Sequence, residues 1–415
     1  MSFATVTLLP RTAIAAMGLL DHVSSAVNKS GHGPKPSKED RPPEGASADD
    51  TEELDEESGN ILLSLISQLR IGMDLHRVTL PTFVLEPRSM LERITDFLSH
   101  PEMIFNADQL QSPVERFVAV LGYYMSGWHI KPKGVKKPYN PILGEFFRCS
   151  YDYPNGTKGW YIAEQVSHHP PISAFYYVSG ENNMIIFGDL RPKSKFLGNS
   201  AATLMGGQIS AVMLNRPEDG TYRITMPNMY ARGIMFGRMV LELGDTSEVQ
   251  NKNNDLTCDV DFKVKGYFTG TYNAIAGKVQ HGGKTIGELS GKWSEKMEYK
   301  DTQTGQSRVL FDAHRANTVQ KEVPPLEHQE PNESQRLWAT VTEGIKKKNM
   351  DLATDAKTAL EDAQREQARQ REATGQQWTP HFFKVLPDGR YAPNLDALPV
   401  PYRPQSVVNY FNSLA

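Results

Sequence analysis

The 415-residue chain contains 39% hydrophobic and 23% charged residues and has a formal net charge of −4. This composition is typical of an ordinary soluble protein with a large core, and the small negative charge argues against a general nucleic-acid binder. Two cysteines, Cys149 and Cys258, cannot build a disulfide framework or a cysteine zinc site, which favours a reducing compartment such as the cytosol. The N-terminal stretch "ATVTLLPRTAIAAMGLL" is interrupted by Pro10 and Arg11, so it lacks the ~20 unbroken apolar residues of a membrane span.

An acidic segment of low complexity precedes the first predicted helix. Residues 27–60 are rich in Pro, Gly, Ser, Lys and Glu, and seven acidic residues without a basic one lie between Asp49 and Glu57. Such a composition buries too little apolar surface to order itself, so the sequence predicts a disordered tail. The following "ILLSLISQLRIGMDL" places Leu62 and Ile66 on one face of an amphipathic helix, whose partner we expect to be an apolar opening elsewhere in the protein.

Two helices and then many strands follow in chain order. "RSMLERITDFLSHP" and "SPVERFVAVLGYYMSGW" show helical periodicity, the second with Ser112 as N-cap and Pro113 in its first turn. Between Phe146 and His314, ten short β-rich runs alternate with Gly, Asn, Asp and Pro. This pattern favours a meandering antiparallel sheet that curls or closes into a large barrel. Two helical stretches come next, the second highly charged and ended near Gly375, and the last forty residues indicate irregular chain packed against the body.

The segment "EQVSHHPPISAF" places two adjacent histidines at the end of a predicted strand. Neighbouring side chains of a strand point to opposite faces, but Pro170 and Pro171 cannot donate to a ladder. We therefore expect a turn or bulge that lets His168 and His169 lean toward one opening, where a phosphate would favour their charged, doubly donating form. The alternative is a pair of strand-end histidines bonded to backbone. Their adjacency does not suit zinc, and no metal site is predicted.

Two further clusters carry positive charge. "GVKKPYNPILGEFF" holds Lys137 and Asn140 in a segment stiffened by prolines, which is either a preorganised binding loop or a rigid solvent-facing one. Lys357, Glu361 and Arg365 follow one another at i, i+4 and i+8 on a predicted helix. In one interpretation the carboxylate of Glu361 pairs with both Lys357 and Arg365 and holds them in place. In the other, the three residues form ordinary ion pairs on the exposed surface of the helix. No GxSxG elbow or reactive cysteine indicates nucleophilic catalysis, so an enzyme is not predicted.

Together these motifs resemble those of one family. "EQVSHHPP" is similar to the fingerprint of the oxysterol-binding-protein-related lipid transfer proteins, and the resemblance continues in "KKPYNPILGE", "PLEHQ", "ES..LW" and the late cationic stripe, over residues 60–385. It implies a mainly β fold of α+β type: a large, nearly closed antiparallel β-barrel with a central lipid tunnel, an N-terminal lid and flanking N- and C-terminal helices. The implied organisation is a tail at 1–59, a lid at 60–80, helices and the lipid-binding barrel at 81–330, and a C-terminal helical region packed on the barrel at 331–415.

The resemblance also implies which residues bind ligand. For the headgroup of phosphatidylinositol 4-phosphate they are Lys137, Asn140, His168, His169, Lys357, Glu361 and Arg365. The segment "GNILLSLISQLRIGMDLHRVTLPTFVLEPRSMLERITD" is similar to that of the phosphatidylserine-carrying subgroup, typified by a pair of yeast homologues. For phosphatidylserine the implied residues are Leu80, Lys137, Asn140 and Ser194. Gln335 departs from the family pattern, which usually has arginine at this position.

The function implied is non-vesicular lipid transfer, in which phosphatidylserine is extracted and exchanged for phosphatidylinositol 4-phosphate between membranes. Two alternatives stay open: a sterol/phosphatidylinositol 4-phosphate exchanger, and a lipid-responsive adaptor that binds without shuttling. The expected partners are phospholipid cargo and, transiently, anionic membranes, for a monomeric cytoplasmic protein at contact sites between endoplasmic reticulum and plasma membrane. No enzyme activity, cofactor or nucleic acid is expected. The acidic run is either a device that repels the loaded protein from anionic leaflets or a solvated tail.

Overall fold

The computed structural model of the protein describes residues 46–414 apart from 48, 76, 77, 79, 237 and 267–269. The apolar N-terminal stretch and most of the predicted tail therefore lie outside the described residues. Within the described ranges, no helix combines the length and the apolar composition needed to cross a bilayer.

Seven α-helices are present in the described part of the chain. Their bounds are α1 Glu56–Ser67, α2 Met90–Arg93, α3 Pro113–Ser126, α4 Ser334–Leu337, α5 Ala339–Lys346, α6 Met350–Thr374 and α7 Gln405–Asn412. Asp55 caps α1 by accepting a hydrogen bond from Ser58 N at 2.7 Å. Ser112 caps α3 as predicted, and Gly375 ends α6 in the left-handed conformation, with φ of 66°, which glycine adopts at little cost.

The strands alternate with tight turns along most of the chain. The first nine are β1 Thr51–Glu53, β2 Leu85–Ser89, β3 Lys137–Tyr139, β4 Phe146–Asp152, β5 Lys158–His168, β6 Pro171–Ser179, β7 Met184–Phe196, β8 Ser200–Met213 and β9 Tyr222–Ile224. The others are β10 Asn228–Arg232, β11 Arg238–Asn251, β12 Leu256–Lys263, β13 Ala274–His281, β14 Lys284–Lys292, β15 Lys296–Asp301, β16 Ser307–Asp312, β17 Phe383–Val385 and β18 Tyr391–Pro393.

Fourteen of these strands form one antiparallel sheet, as the alternating runs predict. Its order is β16-β15-β14-β13-β12-β11-β10-β8-β7-β6-β5-β4, with β1 added to β11 and β9 paired with both β8 and β11. Most strands pair with their neighbour in the chain, because short connections join antiparallel strands. The longest ladder joins β7 to β8 and runs from the pair Met184↔Met213 to the pair Phe196↔Ala201.

Helix α3 lies on the inner face of this sheet. One hydrophobic cluster joins Phe117 and Leu121 of α3 to side chains of strands along the whole sheet, from Phe147 on β4 to Phe311 on β16. Because side chains from both end strands belong to one cluster with this helix, the sheet curls around it into a nearly closed barrel. The mainly β, barrel-like fold implied by the sequence is confirmed.

The chain that follows β16 crosses the edge of β4. Ser150 of β4 and Glu322 exchange two backbone hydrogen bonds, with N···O distances of 2.9 and 2.8 Å. Phe146 forms a parallel bridge with Glu333, and Arg148 forms an ion pair with Glu333 at 3.0 Å. The end of the sheet at β4 is therefore covered by this crossing segment.

The C-terminal segment covers the outer face of β5 to β8. Tyr176 Oη donates to the carbonyl oxygen of Tyr402 at 2.9 Å, and Tyr402 Oη donates to that of Tyr161 at 3.2 Å. Phe411 of α7 joins the apolar cluster on this face. The covered parts of these strands are thus buried on both faces, which explains why all nine residues of β6 are buried.

The acidic run is part of the fold, so the prediction of a disordered tail is wrong for the last residues of the range 1–59, whereas residues 1–45 lie outside the described part of the chain. Strand β1 extends the sheet at β11, and α1 begins within the same run. Asp50 forms an ion pair with Lys131 at 2.5 Å, and Glu52 forms one with Lys136 at 2.8 Å. Composition could not indicate this order, because Lys136 lies 84 positions after its partner. The carboxylates of Asp50 and Glu52 thus face lysines of the protein, whereas the other five acidic residues of the run are exposed, so the repulsion of the loaded protein from anionic leaflets stays a prediction.

Candidate functional site

A cavity of about 190 Å³ lies between α1, the segment around β3, and strands β7, β8, β10 and β11. Its wall is mostly apolar with a small number of polar groups, a composition typical of small-molecule sites. Leu62, Leu75 and Leu80 supply one side of this wall. All three belong to the part of the chain that the sequence assigns to a lid.

The structure brings together the four residues that the resemblance implies for phosphatidylserine. Leu80, Lys137, Asn140 and Ser194 all line this one cavity. They come from three distant segments: the chain before β2, the loop at β3, and strand β7. Ser194 is a buried residue of β7, with its Oγ 3.4 Å from Oγ1 of Thr203 on β8. The positions agree with the expectation, and lipid binding by these residues stays a prediction.

The loop after β3 is anchored by the buried Glu145. Ile142 N–H donates to Glu145 Oε2 at 3.0 Å, and Ser334 Oγ and Trp338 Nε1 donate to the same carboxylate at 2.7 and 2.8 Å. Burial raises the pKa of Glu145, while these donors oppose that shift by stabilising the carboxylate. A single side chain thus fixes the "KKPYNPILGE" loop to the "ESQRLW" segment.

Lys137 lies in an unfavourable electrostatic environment. Desolvation lowers the pKa of Lys137, the positive charge of Lys357 lowers it further, and Asp74 opposes the shift with a smaller effect. By contrast, the ammonium of Lys136 binds Glu52 and the carbonyl oxygen of Phe83 at 2.8 and 2.9 Å. An anion placed beside Lys137 would offset both the desolvation and the repulsion.

The cationic stripe of α6 is arranged differently from the prediction. Lys357 is 12% exposed and pairs with Glu361 at 2.6 Å. Arg365 is 57% exposed and pairs with Asp362 at 2.5 Å, so the expectation that Glu361 braces both cations is wrong. Residues three and four positions away are both helix neighbours of Arg365, and the one at i−3 accepts its guanidinium. Helix α6 therefore brings Lys357 near Lys137 and leaves Arg365 on the exposed surface.

The two histidines lie at the predicted turn. Strand β5 ends at His168, a bulge interrupts its pairing after Gln165, and the chain returns with Pro171 as the first residue of β6. The imidazole rings are 4.5 Å apart between centroids. His169 is exposed, and the peptide bond that follows it is cis. Gln165 and Pro171 line the cavity, so the turn lies at its margin.

Five polar residues of the cavity wall were not predicted as ligand contacts: Lys136, Tyr139, Gln165, Ser173 and Thr203. Ser173 Oγ donates to Gln165 Oε1 at 2.6 Å, and Gln165 Nε2 donates to the carbonyl oxygen of Ser167 at 2.8 Å. Gln165 and Ser173 lie within "EQVSHHPPIS" and are directly paired across β5 and β6. The signal that could have found them is this cross-strand position on the inner face next to the histidines.

Gln335 has a specific environment despite its departure from the family pattern. Its Nε2 donates to Glu92 Oε2 at 3.1 Å, and Lys321 Nζ lies 3.3 Å from Glu92 Oε1. A lysine from another segment thus supplies the positive charge that position 335 lacks.

Neither a metal site nor an activated thiol is found among the described residues. No group of three or more His, Cys, Asp or Glu side chains in these ranges is arranged to hold a metal ion. Cys149 and Cys258 are buried and free, and burial raises the pKa of each thiol to about 12. Both are therefore protonated at neutral pH.

Comparison with known sequences identifies relatives over most of the chain. The sequence model of the family described as oxysterol-binding protein matches residues 64–392. An oxysterol-binding protein homolog of Schizosaccharomyces pombe is 46% identical over 360 residues, which cover 84% of this chain and 75% of that protein. Oxysterol-binding protein homolog 6 of Saccharomyces cerevisiae is 42% identical over 374 residues, which cover 88% of this chain and 81% of that protein.

Solved structures share the fold at lower sequence identity. The Osh1 ORD domain in complex with cholesterol matches with a TM-score of 0.69 and 22% identity, over 98% of this chain and 99% of that one. The Osh3 ORD of Saccharomyces cerevisiae in complex with PI(4)P matches with a TM-score of 0.63 and 19% identity, over 88% of this chain and 94% of that one. The sequence matches and the barrel agree with the resemblance seen in the motifs: the chain belongs to the oxysterol-binding protein family.

Proposed function

We propose that this protein extracts phosphatidylserine from one membrane and exchanges it for phosphatidylinositol 4-phosphate from another. The observation that carries the proposal is the environment of Lys137, a desolvated cation repelled by Lys357 at the polar side of a largely apolar cavity. A phosphomonoester brings about −1.5 to −2 charges and would replace this repulsion by two attractions. An amphiphilic lipid therefore matches the site, because its anionic headgroup suits the two lysines and its apolar part suits the cavity wall.

Competition between the two lipids follows from their shared residues. Lys137 and Asn140 belong to both sets implied by the family resemblance, and both line the same cavity. A cavity of this size accommodates one headgroup at a time, so uptake of one lipid requires release of the other. The direction of exchange then depends on the concentrations of the two lipids in the two membranes.

Loading requires the cavity to expand. Its volume of about 190 Å³ is below the ~300–1,000 Å³ of ordinary ligand pockets. On one side Leu62, Ile66 and Leu75 pack against Phe196 and Ile234, and this apolar contact has to separate. We infer that α1 and the residues after it move away during loading and then cover the lipid. Covering matters because exposing ~30 methylenes at ~0.8 kcal/mol each makes unaided desorption cost on the order of 20 kcal/mol.

In this proposal the protein acts as a cytoplasmic monomer between endoplasmic reticulum and plasma membrane, and its contact with anionic leaflets is transient. The phosphoinositide assignment is supported by the PI(4)P carried by the structurally similar Osh3 domain. The phosphatidylserine assignment is supported by the resemblance of the segment before α2 to the phosphatidylserine-carrying subgroup, and by the common cavity of Leu80 and Ser194.

Lipid extraction from liposomes tests the proposal. The double variant His168→Ala/His169→Ala should lose phosphoinositide extraction and largely retain phosphatidylserine extraction, because the histidines belong only to the first set. Native mass spectrometry of the purified protein identifies the lipid that it carries. Equal loss of both lipids would show that the histidine pair supports the fold. Extraction of sterol instead of phosphatidylserine would refute the assignment of phosphatidylserine as a cargo. Lipid binding without transfer between two liposome populations would indicate a lipid-responsive adaptor.

A further inference from the structure

We propose that four exposed apolar side chains, Ile71, Met73, Leu197 and Met235, form a rim that inserts into the anionic bilayer from which lipid is loaded. We call these four residues the apolar rim. The inference rests on the proposed function, because it identifies the membrane-contacting surface of the same site.

The rim residues are large apolar side chains with high exposure. The exposed fraction is 77% for Ile71, 43% for Leu197 and for Met235, and 38% for Met73. Single exposed apolar residues are ordinary on protein surfaces, whereas a contiguous group of them marks an interaction surface.

Backbone hydrogen bonds make the rim contiguous. Gly72 N–H donates to the carbonyl oxygen of Phe196 at 2.7 Å, and Phe196 N–H donates to that of Met73 at 3.1 Å. These bonds join the segment after α1 to the β7–β8 turn. On the other side of that turn, Met235 N–H donates to Asn199 Oδ1 at 3.2 Å. Three turns that are distant in sequence therefore present their apolar side chains together.

The rim is the outer surface of the apolar contact that closes the cavity. Leu197 and Met235 are exposed, whereas the residues directly before them, Phe196 and Ile234, are buried with Leu75 in one apolar cluster. Separation of this cluster would open the cavity directly behind the rim. A rim inserted in the bilayer at that moment would let a lipid pass into the cavity without crossing water.

The charges around the rim match an anionic leaflet. Strand alternation turns Lys193 and Lys195 to the same exposed face of β7, and Leu197, which directly follows the strand, is exposed as well. Arg70 is exposed next to the rim, and Asp74, whose backbone pairs with Lys195, contributes a negative charge. Protruding apolar turns flanked by mainly basic residues suit insertion among anionic headgroups, whereas a protein partner would require a groove or a flat face.

Flotation with vesicles of phosphatidylcholine and phosphatidylserine tests the rim. The double variant Leu197→Asp/Met235→Asp should associate at least ~10-fold more weakly than wild type, since two apolar contacts with the bilayer are replaced by repulsive charges. Val309→Asp is the matched control, because Val309 is also a highly exposed apolar residue but lies on the terminal strand β16. Leu197→Trp should strengthen association, because tryptophan favours the membrane interface.

Binding of water-dispersed dioctanoyl phosphatidylserine separates membrane contact from cargo binding. It should be unchanged in the double variant, because no rim residue lines the cavity in the described structure. Undiminished flotation of the double variant would overturn the inference, and so would a parallel loss of dioctanoyl lipid binding, which would assign these residues to the cavity. Wild-type protein that floats with vesicles but takes up no lipid would instead refute the proposed function and leave the rim in place.

Discussion

Replacing Lys137 by methionine should weaken phosphoinositide binding and at the same time stabilise the empty protein. Methionine keeps most of the apolar length of the lysine side chain but carries no charge. Desolvation and Lys357 lower the pKa of Lys137, so its charged form costs free energy that methionine avoids. Loss of a charge-assisted hydrogen bond to phosphate costs about 1.5–3 kcal/mol, which corresponds to a ~10- to 150-fold loss of affinity.

The stabilisation should depend on pH with a defined sign. The pKa of Lys137 in the folded protein lies below its ordinary value of 10.5. Between these two values the unfolded chain binds more protons than the folded one, so wild-type stability rises with pH in this window. The cost of charging Lys137 is fully present below the folded pKa and is lost as pH approaches 10.5. The stability advantage of Lys137→Met should therefore be largest below the folded pKa and shrink as the pH approaches 10.5.

Lys136→Met is the matched control, because this neighbouring lysine has the opposite environment. It pairs with Glu52 at 2.8 Å, in a partly exposed ion pair worth about 0.5–1 kcal/mol. Its loss should lower stability by that amount and reduce affinity less than Lys137→Met does, because Glu52 and the carbonyl oxygen of Phe83 already bind the ammonium of this cavity-wall residue. Chemical denaturation of the lipid-free proteins measures stability, and titration with dioctanoyl phosphatidylinositol 4-phosphate measures affinity. A Lys137→Met variant that is less stable than wild type, or that binds the phosphoinositide equally well, would refute the electrostatic reasoning.

Glu145→Gln should lower the free energy of unfolding by about 2–4 kcal/mol, because an amide nitrogen replaces one acceptor oxygen among buried donors; wild-type stability in chemical denaturation would contradict this. Gly134→Ala should cost about 1–3 kcal/mol, because φ is 75° and a Cβ would lie 1.9 Å from Glu52 Oε2. An unchanged unfolding midpoint would show that this contact is not formed. Arg365→Ala should change stability by less than about 0.5 kcal/mol, since its ion pair with Asp362 is exposed. It should nevertheless weaken phosphoinositide extraction from liposomes, and unaltered extraction would remove Arg365 from the site.

The strands could be predicted because their signals are local. In β12, Cys258 and Val260 point inward and Asp259 points outward, as the alternation in the sequence requires. No local pattern predicts that α3 lies inside the curled sheet. Helical periodicity indicates that the helix has an apolar face, but not which strands pack against that face. Even Arg116 of α3 is buried, and its partner Asp219 lies 103 positions later, a pairing that no local pattern reveals.

The candidate site was predicted in part by chemistry and in part by resemblance. The two prolines after His169 indicate a turn, because neither can donate a ladder hydrogen bond, and the structure has a turn between His168 and Pro171. The common cavity of Leu80 and Lys137 came from the family resemblance, since no spacing connects residues so far apart. The choice of Arg365 between Asp362 and Glu361 could not be predicted, because both positions are neighbours on a helix.

The chain segment that crosses β4 covers one end of a sheet whose two end strands are not paired with each other, and this arrangement affects how the barrel can deform. In the described part of the chain, β4 and β16 share no ladder hydrogen bonds, so the circumference can widen or narrow while every strand keeps its register. The pairing of Ser150 with Glu322 meanwhile occupies backbone groups that would otherwise be available to the edge of another sheet. Proteolysis between β16 and Glu322 would release this protection and make self-association through β4 the expected route of aggregation.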